Sequence, residues 1–282
     1  MTAPVFIASA ATILPSGILS DAGAGTLLTL TGAEARHAVT VRRLRAGERV
    51  DLVDGAGLRL VCEVTEAGTG EVKDGLGVAV VERVEEPPVP VRLVLVQALA
   101  KGGRDEQSVE TATEVGVETV LPWQAARCVS VWSGAKRAKG RERWAATARE
   151  AAKQARRAVV PEVEAVRHTR ELTAWVRGVT EAGGVVALLH EEATTPVGDL
   201  GLPAAPDGGG SGARGAGPVG GPAARPVLAV VVGPEGGIGQ EETAELEAAG
   251  ARTVRLGPHV MRTASAGPVA LAVLAQRAGL WG

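Results

Sequence analysis

Apolar and polar positions alternate along short stretches of the first 86 residues, interrupted by β-branched runs. This period of two is typical of half-buried strands, and it predicts strands at TLLTLTG (26–32), RVDLVDG (49–55), LRLVCEVTEA (58–67) and LGVAVVERV (76–84). The segment GAEARHAVTVRRLRAG (32–47) has helical spacing instead. The pattern predicts a small β-barrel domain over 1–86 that carries one basic helix, followed by a stiff Pro-rich linker.

From residue 91 onward, buried β-branched runs alternate with helical stretches. Strands are predicted at VRLVLVQAL (91–99), VETVLPW (117–123), VPEVEAV (160–166), VVALLH (185–190), PVLAVVV (226–232) and RTVRLG (252–257). Helices are predicted at 105–116, 136–157 and 264–279. Strict alternation indicates an α/β domain over 87–282, with a mostly parallel sheet covered on both faces. Residues 203–226 are rich in Gly and Pro and are predicted to be a disordered insertion.

Composition excludes several classes of protein. The 282 residues are 45% hydrophobic, yet no apolar run reaches the roughly 18 residues of a membrane span, and no leader-like segment opens the chain. Cys62 and Cys128 lie far apart, so we expect reduced thiols in a cytoplasmic protein. His37, His168, His190 and His259 are scattered, which argues against a metal site.

Basic residues are concentrated locally, although the net charge is only −2. Two clusters occur, one at Arg36, Arg42, Arg43, Arg45 and Arg49, the other at Lys136, Arg137, Lys139, Arg141, Arg143, Arg149, Lys153, Arg156 and Arg157. Such surfaces can follow phosphates; the alternative is a solvated helix face. Aromatic residues make up 2% of the chain, which argues against a base-stacking platform.

Two glycine-bearing loops near the C-terminus carry the most chemical information. VVVGPEGGIGQEE (230–242) and VRLGPHVMRTASAGPVAL (254–271) each place glycine directly after a predicted strand and before a predicted helix. Glycine lets the backbone approach a ligand closely, and parallel sheets bind ligands at the carboxyl ends of their strands. We therefore expect one composite site. Neither a phosphate-binding GxxxxGK[ST] motif nor the GxGxxG dinucleotide spacing is present.

GPEGG followed by LGPHVMRT resembles the RsmE-type 16S ribosomal RNA uridine N3-methyltransferases of the SPOUT superfamily. HAVTVRRLRAGERVDLVDGAG (37–57), QALAKGGRDEQSVETATEVGVETVLPWQAARC (97–128) and REAAKQARRAVVPEV (149–163) are similar to that family in the same order. The resemblance implies a PUA-like β-barrel and a SPOUT domain with a deep C-terminal trefoil knot. It also implies S-adenosylmethionine as cofactor, 16S rRNA of the small ribosomal subunit as partner, and a homodimer formed through the knot and the C-terminal helix.

The resemblance assigns residues to the expected site. The cofactor would lie among three loops, namely Leu188, Leu189, His190 and Glu191, then Gly233, Pro234, Glu235, Gly236 and Gly237, and finally Leu256, Gly257, Pro258, Val260, Met261 and Arg262. RNA would be held by Arg36, His37, Arg42, Arg43, Arg45, Lys101, Lys153, Gln154, Arg156 and Arg157.

Methylation at N3 of uridine requires that nitrogen to lose its proton, so an adjacent cation would stabilise the uridinate. Arg262 is the predicted charge partner; its alternative is an ion pair at a helix start. Thr263 and Ser265 are predicted to bond the base edge, with N-capping of the last helix as the alternative. The family pattern R-T-E-T-A has Ala264 here in place of Glu, which leaves the general base unassigned.

Two other functions remain as alternatives. A non-catalytic RNA-binding or ribosome-assembly protein would keep the barrel and the basic helix, but it would not need the two glycine loops. A small-molecule α/β enzyme would need the loops, but it would leave the basic helix and the N-terminal barrel unexplained.

Overall fold

The computed structural model describes residues 3–68, 74–204 and 225–281. The chain forms two compact units, the first comprising Met1–Pro88 and Arg149–Val160, the second Val89–Ala148 and Pro161–Gly282. The sequence pattern instead predicts that 149–160 belong to the second domain. Contacts within the first unit explain the difference, because Lys153 pairs with Glu34 at 3.1 Å and the backbone N–H of Val160 donates to the carbonyl of Gly55 at 2.9 Å.

The first unit contains a six-stranded mixed sheet. Its strands are β1 (Val5–Ile7), β2 (Ile13–Leu14), β3 (Leu27–Leu30), β4 (Arg49–Val53), β5 (Leu58–Ala67) and β6 (Leu76–Glu85), in the order β1-β4-β5-β6-β3-β2. Only the β1–β4 pairing is parallel. Alternating residues of β4 and β5, with Phe6, fill the core of this unit. The four predicted strands are present, whereas β1 and β2 are too short for a period of two to show.

The predicted basic helix of the first unit is shorter than the sequence pattern indicates. Helix α1 spans Gly32–Arg36 and continues into a π-helical turn over His37–Val41. Arg43 then takes a left-handed conformation with φ 54°, which ends the helical run because non-glycine residues rarely propagate it.

The second unit is built on a parallel sheet. Its elements are β7 (Arg92–Ala98), α2 (Arg104–Val115), β8 (Thr119–Gln124), α3 (Ala135–Gln154), β9 (Glu162–Val163), β10 (Arg167–His168), α4 (Thr169–Glu181), β11 (Val185–Leu189), β12 (Val227–Val232), α5 (Gln240–Ala248), β13 (Arg252–Val254) and α6 (Thr263–Arg277). The strand order is β10-β8-β7-β12-β11-β13, with β9 also on β8. Every pairing is parallel, which confirms the predicted α/β class.

Helices cover both faces of this sheet. Alternate residues of β7 separate into two cores: Leu93 and Leu95 pack with α2 and α6, while Val94 and Val96 face the side of α4 and α5. Helix α6 approaches the sheet closely at Gly267, where an added Cβ would lie 2.7 Å from Leu95 Cδ1. Glycine is needed there because a side chain would lift α6 away from the strands.

The predicted insertion at 203–226 lies for the most part outside the described residues. At its end, Arg225 is held by two hydrogen bonds of 3.0 and 2.8 Å to the carboxylate of Glu118, beside the start of β8. In the part of the chain that the structure describes, no helix combines the length and the apolar character needed to cross a bilayer.

Candidate active site

A cleft of about 1140 Å³ lies at the carboxyl edge of the parallel sheet. Three segments line it: 189–192 after β11, 232–242 after β12 and 255–263 after β13, with Arg104, Ala126 and Arg127 at its side. The strands are parallel, so the loops that follow them meet at one edge. The two glycine loops predicted to form one composite site therefore do lie together.

The first loop, 233–239, is held tightly at both ends. At Gly233 an added Cβ would lie 2.6 Å from Ile238 Cγ1, so only glycine fits against that buried side chain. Gly237 has φ +73°, a conformation that glycine adopts without strain. The loop ends where Glu242 Oε2 accepts a 3.3 Å bond from the N–H of Gly239, which caps α5.

Glu242 is also a link to the neighbouring strand end. Its Oε1 accepts a 2.9 Å bond from the N–H of Ala126 and a 2.6 Å bond from the hydroxyl of Thr169. Glu242 is 7% exposed, and these donors satisfy the hydrogen-bonding capacity of its carboxylate. The first loop is thereby fixed to the segment after β8 and to the start of α4.

The carboxylate of Glu235 faces a ring of donors at the cleft. Oε1 accepts bonds of 3.2 Å from the N–H of Lys101 and of 3.2 Å from Nη1 of Arg104. Partial desolvation acts to raise the pKa of Glu235, but its own backbone N–H, that of Lys101 and the Arg104 cation outweigh it and hold the pKa below 4.5. This carboxylate is therefore ionised at neutral pH and does not act as a proton donor there.

The second loop, 255–262, ends at the start of α6. Arg262 occupies the N-cap position there, and its side chain makes no capping hydrogen bond. The guanidinium of Arg262 is exposed and lines the cleft. Thr263 is 7% exposed, and its hydroxyl donates a 2.8 Å bond to the carbonyl of Gly233. The same hydroxyl accepts a 2.9 Å bond from Nε2 of Gln97. Arg262 faces the cleft, whereas Thr263 joins the two loops from below.

The residues expected to bind cofactor all line this cleft, with one exception. Leu188 is fully buried in the core between the sheet and α4. Successive side chains of a strand point to opposite faces, so Leu189 reaches the cleft side and Leu188 cannot.

The predicted catalytic residues are in three different situations. Arg262 is at the cleft as expected. The hydroxyl of Thr263 is engaged with Gly233 and Gln97, which favours bracing of the loops over contact with a base. Ser265 is half-buried and does not line the cleft. The alternative of N-capping by Thr263 or Ser265 is not observed, because Arg262 is the N-cap.

The residues expected to bind RNA are mostly exposed. Arg36, His37, Arg42, Arg43, Arg45, Gln154 and Arg156 are exposed in the first unit, and Lys101 is exposed in the second. Lys153 differs, since its side chain is only 13% exposed and its ammonium pairs with Glu34 and Glu150. Arg157 is half-buried. Lys153 therefore contributes to the packing of the first unit rather than to a free cationic surface.

Three residues of the site were missed by sequence reasoning. Arg127 lines the cleft and donates a 3.2 Å bond to the carbonyl of Gly236. Gln97 and Glu242 are buried polar residues that fix the loops. A polar residue at the end of the apolar run RLVLVQA, and a Glu three positions after Gly239, were the available signals.

Burial keeps both cysteine thiols in the protonated form at neutral pH. Burial raises the pKa of Cys62 to about 12 and that of Cys128 to about 11. Over the described residues, His, Cys, Asp and Glu side chains form no group of three or more that could hold a metal ion.

The parallel sheet has a loop-lined cleft at its carboxyl edge, and the small mixed-sheet unit bears exposed arginines, an arrangement suited to an enzyme that acts on nucleic acid. Family comparison makes this specific. The RNA methyltransferase domain model matches residues 87–275, and the RNA methyltransferase PUA domain model matches residues 30–73. The chain belongs to this RNA methyltransferase family, which confirms the resemblance seen in the sequence.

Individual relatives agree with this assignment. The chain is 43% identical over 257 residues to the ribosomal RNA small subunit methyltransferase E of Mycobacterium bovis, covering 91% of this chain and 89% of that protein. It is 29% identical over 258 residues to the protein of the same name from Bacillus subtilis, with 89% and 91% covered.

Solved structures show the same fold. A ribosomal RNA small subunit methyltransferase E from Neisseria gonorrhoeae, bound to S-adenosyl methionine, matches with a TM-score of 0.74 at 23% identity, covering 100% of this chain and 99% of that one. A methyltransferase from Legionella pneumophila in complex with the same cofactor also has a TM-score of 0.74 at 23% identity, with 98% of each chain covered.

Proposed function

We propose that this enzyme transfers a methyl group from S-adenosylmethionine to N3 of a uridine in 16S rRNA of the small ribosomal subunit. The relatives named above act on RNA of that subunit, and the chain is a methyltransferase by family. The observation that carries the proposal is the placement of Arg262. Arg262 lines the cleft where the two glycine loops meet, at the N-cap position directly before α6.

The cleft fits the cofactor in size and in chemistry. Leu189, Ile238 and Leu256 give it apolar surface suited to an adenine ring, and pockets for such ligands combine apolar walls with a few polar groups. An added Cβ at Gly257 would meet no atom within 4 Å, so the second loop leaves open space there. When bound, the cofactor supplies an electrophilic methyl group on a sulfonium. Among the charged residues that line the cleft, Glu191, Glu192 and Glu235 suit its positive charge, because complementary charge favours binding.

The chain's own task is to present an ionised base. N3 of uridine must give up its proton before its electron pair can form the new N–C bond, and the developing negative charge spreads over the ring and its two carbonyls. The Arg262 guanidinium is permanently cationic, so it stabilises that anion more than the neutral base. The proton leaves to solvent or to a group of the bound RNA.

Substitution of Arg262 tests this assignment. Arg262→Ala is expected to lower turnover on small subunits by roughly 10²–10³-fold, because one preorganised electrostatic contact is lost. Cofactor affinity, measured by calorimetry, is expected to change by less than about threefold, and raising the pH should restore part of the turnover. Arg252→Ala is the control, because Arg252 is exposed at the start of β13, away from the cleft. Normal turnover in Arg262→Ala would remove Arg262 from the reaction.

The path of the last segment supports a deep trefoil knot. After β13, at the edge of the sheet, the chain crosses the ends of β11 and β12 through 255–262, and α6 packs on β12, β7 and α2 in the middle of the sheet. A SPOUT knot requires a last helix that returns from the edge strand to the centre of the sheet, and we infer that α6 passes beneath an earlier loop to reach that place. Its readout is slow, denaturant-resistant unfolding of the segment from β12 to α6 in hydrogen exchange.

A homodimer is the third part of the proposal. Val269 on α6 is 39% exposed and Trp281 beyond it is 41% exposed. An apolar helix flank of this kind is suited to a second copy of the chain. Light scattering at micromolar concentration is expected to show a dimer, and a Val269→Glu substitution to shift it toward monomer. An enzyme that modifies the small ribosomal subunit would act in the cytoplasm.

A further inference from the structure

A buried chain of hydrogen bonds runs beneath the two loops of the cleft. Ser108 Oγ donates to Gln97 Oε1 at 2.7 Å, Gln97 Nε2 donates to Thr263 Oγ1 at 2.9 Å, and Thr263 Oγ1 donates to the carbonyl of Gly233 at 2.8 Å. Gln97 and Ser108 are 0% exposed and Thr263 is 7% exposed. These hydrogen bonds join α2, the end of β7, the start of α6 and the end of β12.

The nitrogen and the oxygen of the Gln97 side-chain amide are both hydrogen-bonded. Its Nε2 also donates to the carbonyl of Ala98 at 3.0 Å, so both amide hydrogens are used, and Oε1 is used by Ser108. An apolar side chain of similar volume would pack at the same place without desolvating an amide. A polar residue kept in the otherwise apolar strand RLVLVQA therefore has a task that packing alone does not fulfil.

The partners of Gln97 identify that task. Gly233 is the first residue of the first loop. Thr263 directly follows Arg262, the last residue of the second loop. Over the residues that the structure describes, the bond from Thr263 to Gly233 is the one hydrogen bond that joins these two loops directly. The hydroxyl of Thr263 needs a donor behind it to stay aimed at Gly233, and Gln97 supplies that donor. The direction of each bond in the chain is fixed by the amide, because only its nitrogen can donate.

We propose that Gln97 is a positioning residue that acts through Thr263. Through this bond it sets the spacing of the two cofactor loops and the orientation of the Arg262 side chain at the start of α6. This inference rests on the proposed function of the cleft. Gln97 itself touches neither cofactor nor RNA, since it lies below the floor formed by Val232 and Thr263.

Matched substitutions test the proposal. Gln97→Met keeps the length of the side chain and removes the donor, and Thr263→Val keeps the shape and removes the hydroxyl. Each is expected to weaken binding of S-adenosylmethionine by about tenfold or more in calorimetry, because a buried polar partner is left unsatisfied. Thr263→Ser retains the hydroxyl and is expected to stay within about threefold of the unsubstituted enzyme.

A double-substitution cycle separates positioning from general stability. The two changes break the same hydrogen bond, so their effects on cofactor binding should not add. The cofactor affinity of the double variant, Gln97→Met with Thr263→Val, should lie within about threefold of that of the weaker single variant. Thr113→Val is the stability control, because the Thr113 hydroxyl donates to the carbonyl of Val109 within α2 and Thr113 does not line the cleft. It should lower the melting temperature with cofactor affinity unchanged.

The outcomes are distinguishable. Weaker binding in Gln97→Met and Thr263→Val, with rescue in Thr263→Ser and a non-additive double variant, supports the proposal. Normal affinity in a folded Thr263→Val, or effects that multiply in the double variant, overturns it, and this reading holds even if Gln97→Met does not fold. Failure of the unsubstituted enzyme to bind S-adenosylmethionine would instead overturn the proposed function.

Discussion

The guanidinium of Arg104 donates a 3.2 Å hydrogen bond to the carboxylate of Glu235, which connects the first turn of α2 to the middle of the first loop. The N–H of Lys101 reaches the same oxygen at 3.2 Å. A negative charge at Glu235 is thus held by donors on the segment between β7 and α2. The carboxylate serves the cleft by fixing a loop and by adding negative charge to its wall.

Glu235→Gln is expected to weaken binding of S-adenosylmethionine and to lower the melting temperature slightly at about pH 7. The pKa of Glu235 is lowered in the folded protein, so its contribution to stability is present above its ordinary pKa of 4.5 and is lost as the pH falls through the lower folded value. Melting curves of both proteins from about pH 7 to about pH 3 check this. Their melting temperatures should converge at the acid end, and the effect is small because the side chain is partly solvated. Glu245→Gln, on the exposed face of α5, is the control.

The two loop glycines are expected to respond differently to alanine. Gly233→Ala places a Cβ 2.6 Å from Ile238 Cγ1, so we expect a loss of about 1–3 kcal/mol of unfolding free energy and weaker cofactor binding as the cleft wall shifts. Gly257→Ala meets no atom within 4 Å, so its stability should change by less than about 0.5 kcal/mol. Denaturant unfolding measures the change in stability of each variant, and calorimetry measures the change in cofactor affinity. Equal stability of the two variants would contradict the packing described for Gly233.

The exposed arginines of the first unit are expected to bind RNA phosphates. Arg42, Arg43 and Arg156 are all exposed, and the backbone of Arg156 is held at φ 58° with its carbonyl bound by Arg59 at 2.8 Å. Changing the three arginines to alanine should weaken RNA binding and reduce the slope of log K against log salt by about two to three. Cofactor affinity should be spared. An unchanged salt dependence would show that these cations are only solvated.

Both thiols are expected to react slowly in the native protein. Burial is the main cause that raises the pKa of Cys62 to about 12 and of Cys128 to about 11, and thiolate is the reactive species. Alkylation by iodoacetamide at about pH 8, followed by mass spectrometry, should leave both unmodified over a time in which denatured protein is labelled completely. Rapid labelling of native Cys128 would show that the segment after β8 opens in solution.

The sequence was sufficient to predict the α/β class and the meeting of the two glycine loops. Buried parallel strands such as LAVVV are continuous apolar runs, and a glycine directly after each strand marks the carboxyl edge whatever the strand order. Local patterns carry this information because they depend on one element at a time.

The remaining features depend on long-range contacts that no local pattern contains. The assignment of 149–160 to the first unit follows from partners such as Glu34 and Gly55, more than ninety positions away in the chain. The role of Thr263 follows from Gln97, 166 positions away. The sequence places Leu188 next to a loop of the cleft, but it does not show on which face of the sheet the Leu188 side chain lies. A shift of one residue along a strand reverses the side on which a side chain lies.

Nucleoside mass spectrometry of small-subunit rRNA measures directly whether this enzyme methylates N3 of a uridine in that RNA. Small subunits from cells that lack this enzyme would be incubated with the purified protein and S-adenosylmethionine carrying an isotopically labelled methyl group, beside the Arg262→Ala variant. We expect labelled N3-methyluridine, close to one per 16S rRNA molecule, with little from the variant. Label on another nucleoside or at another ring atom, or no label although the cofactor binds, would contradict it.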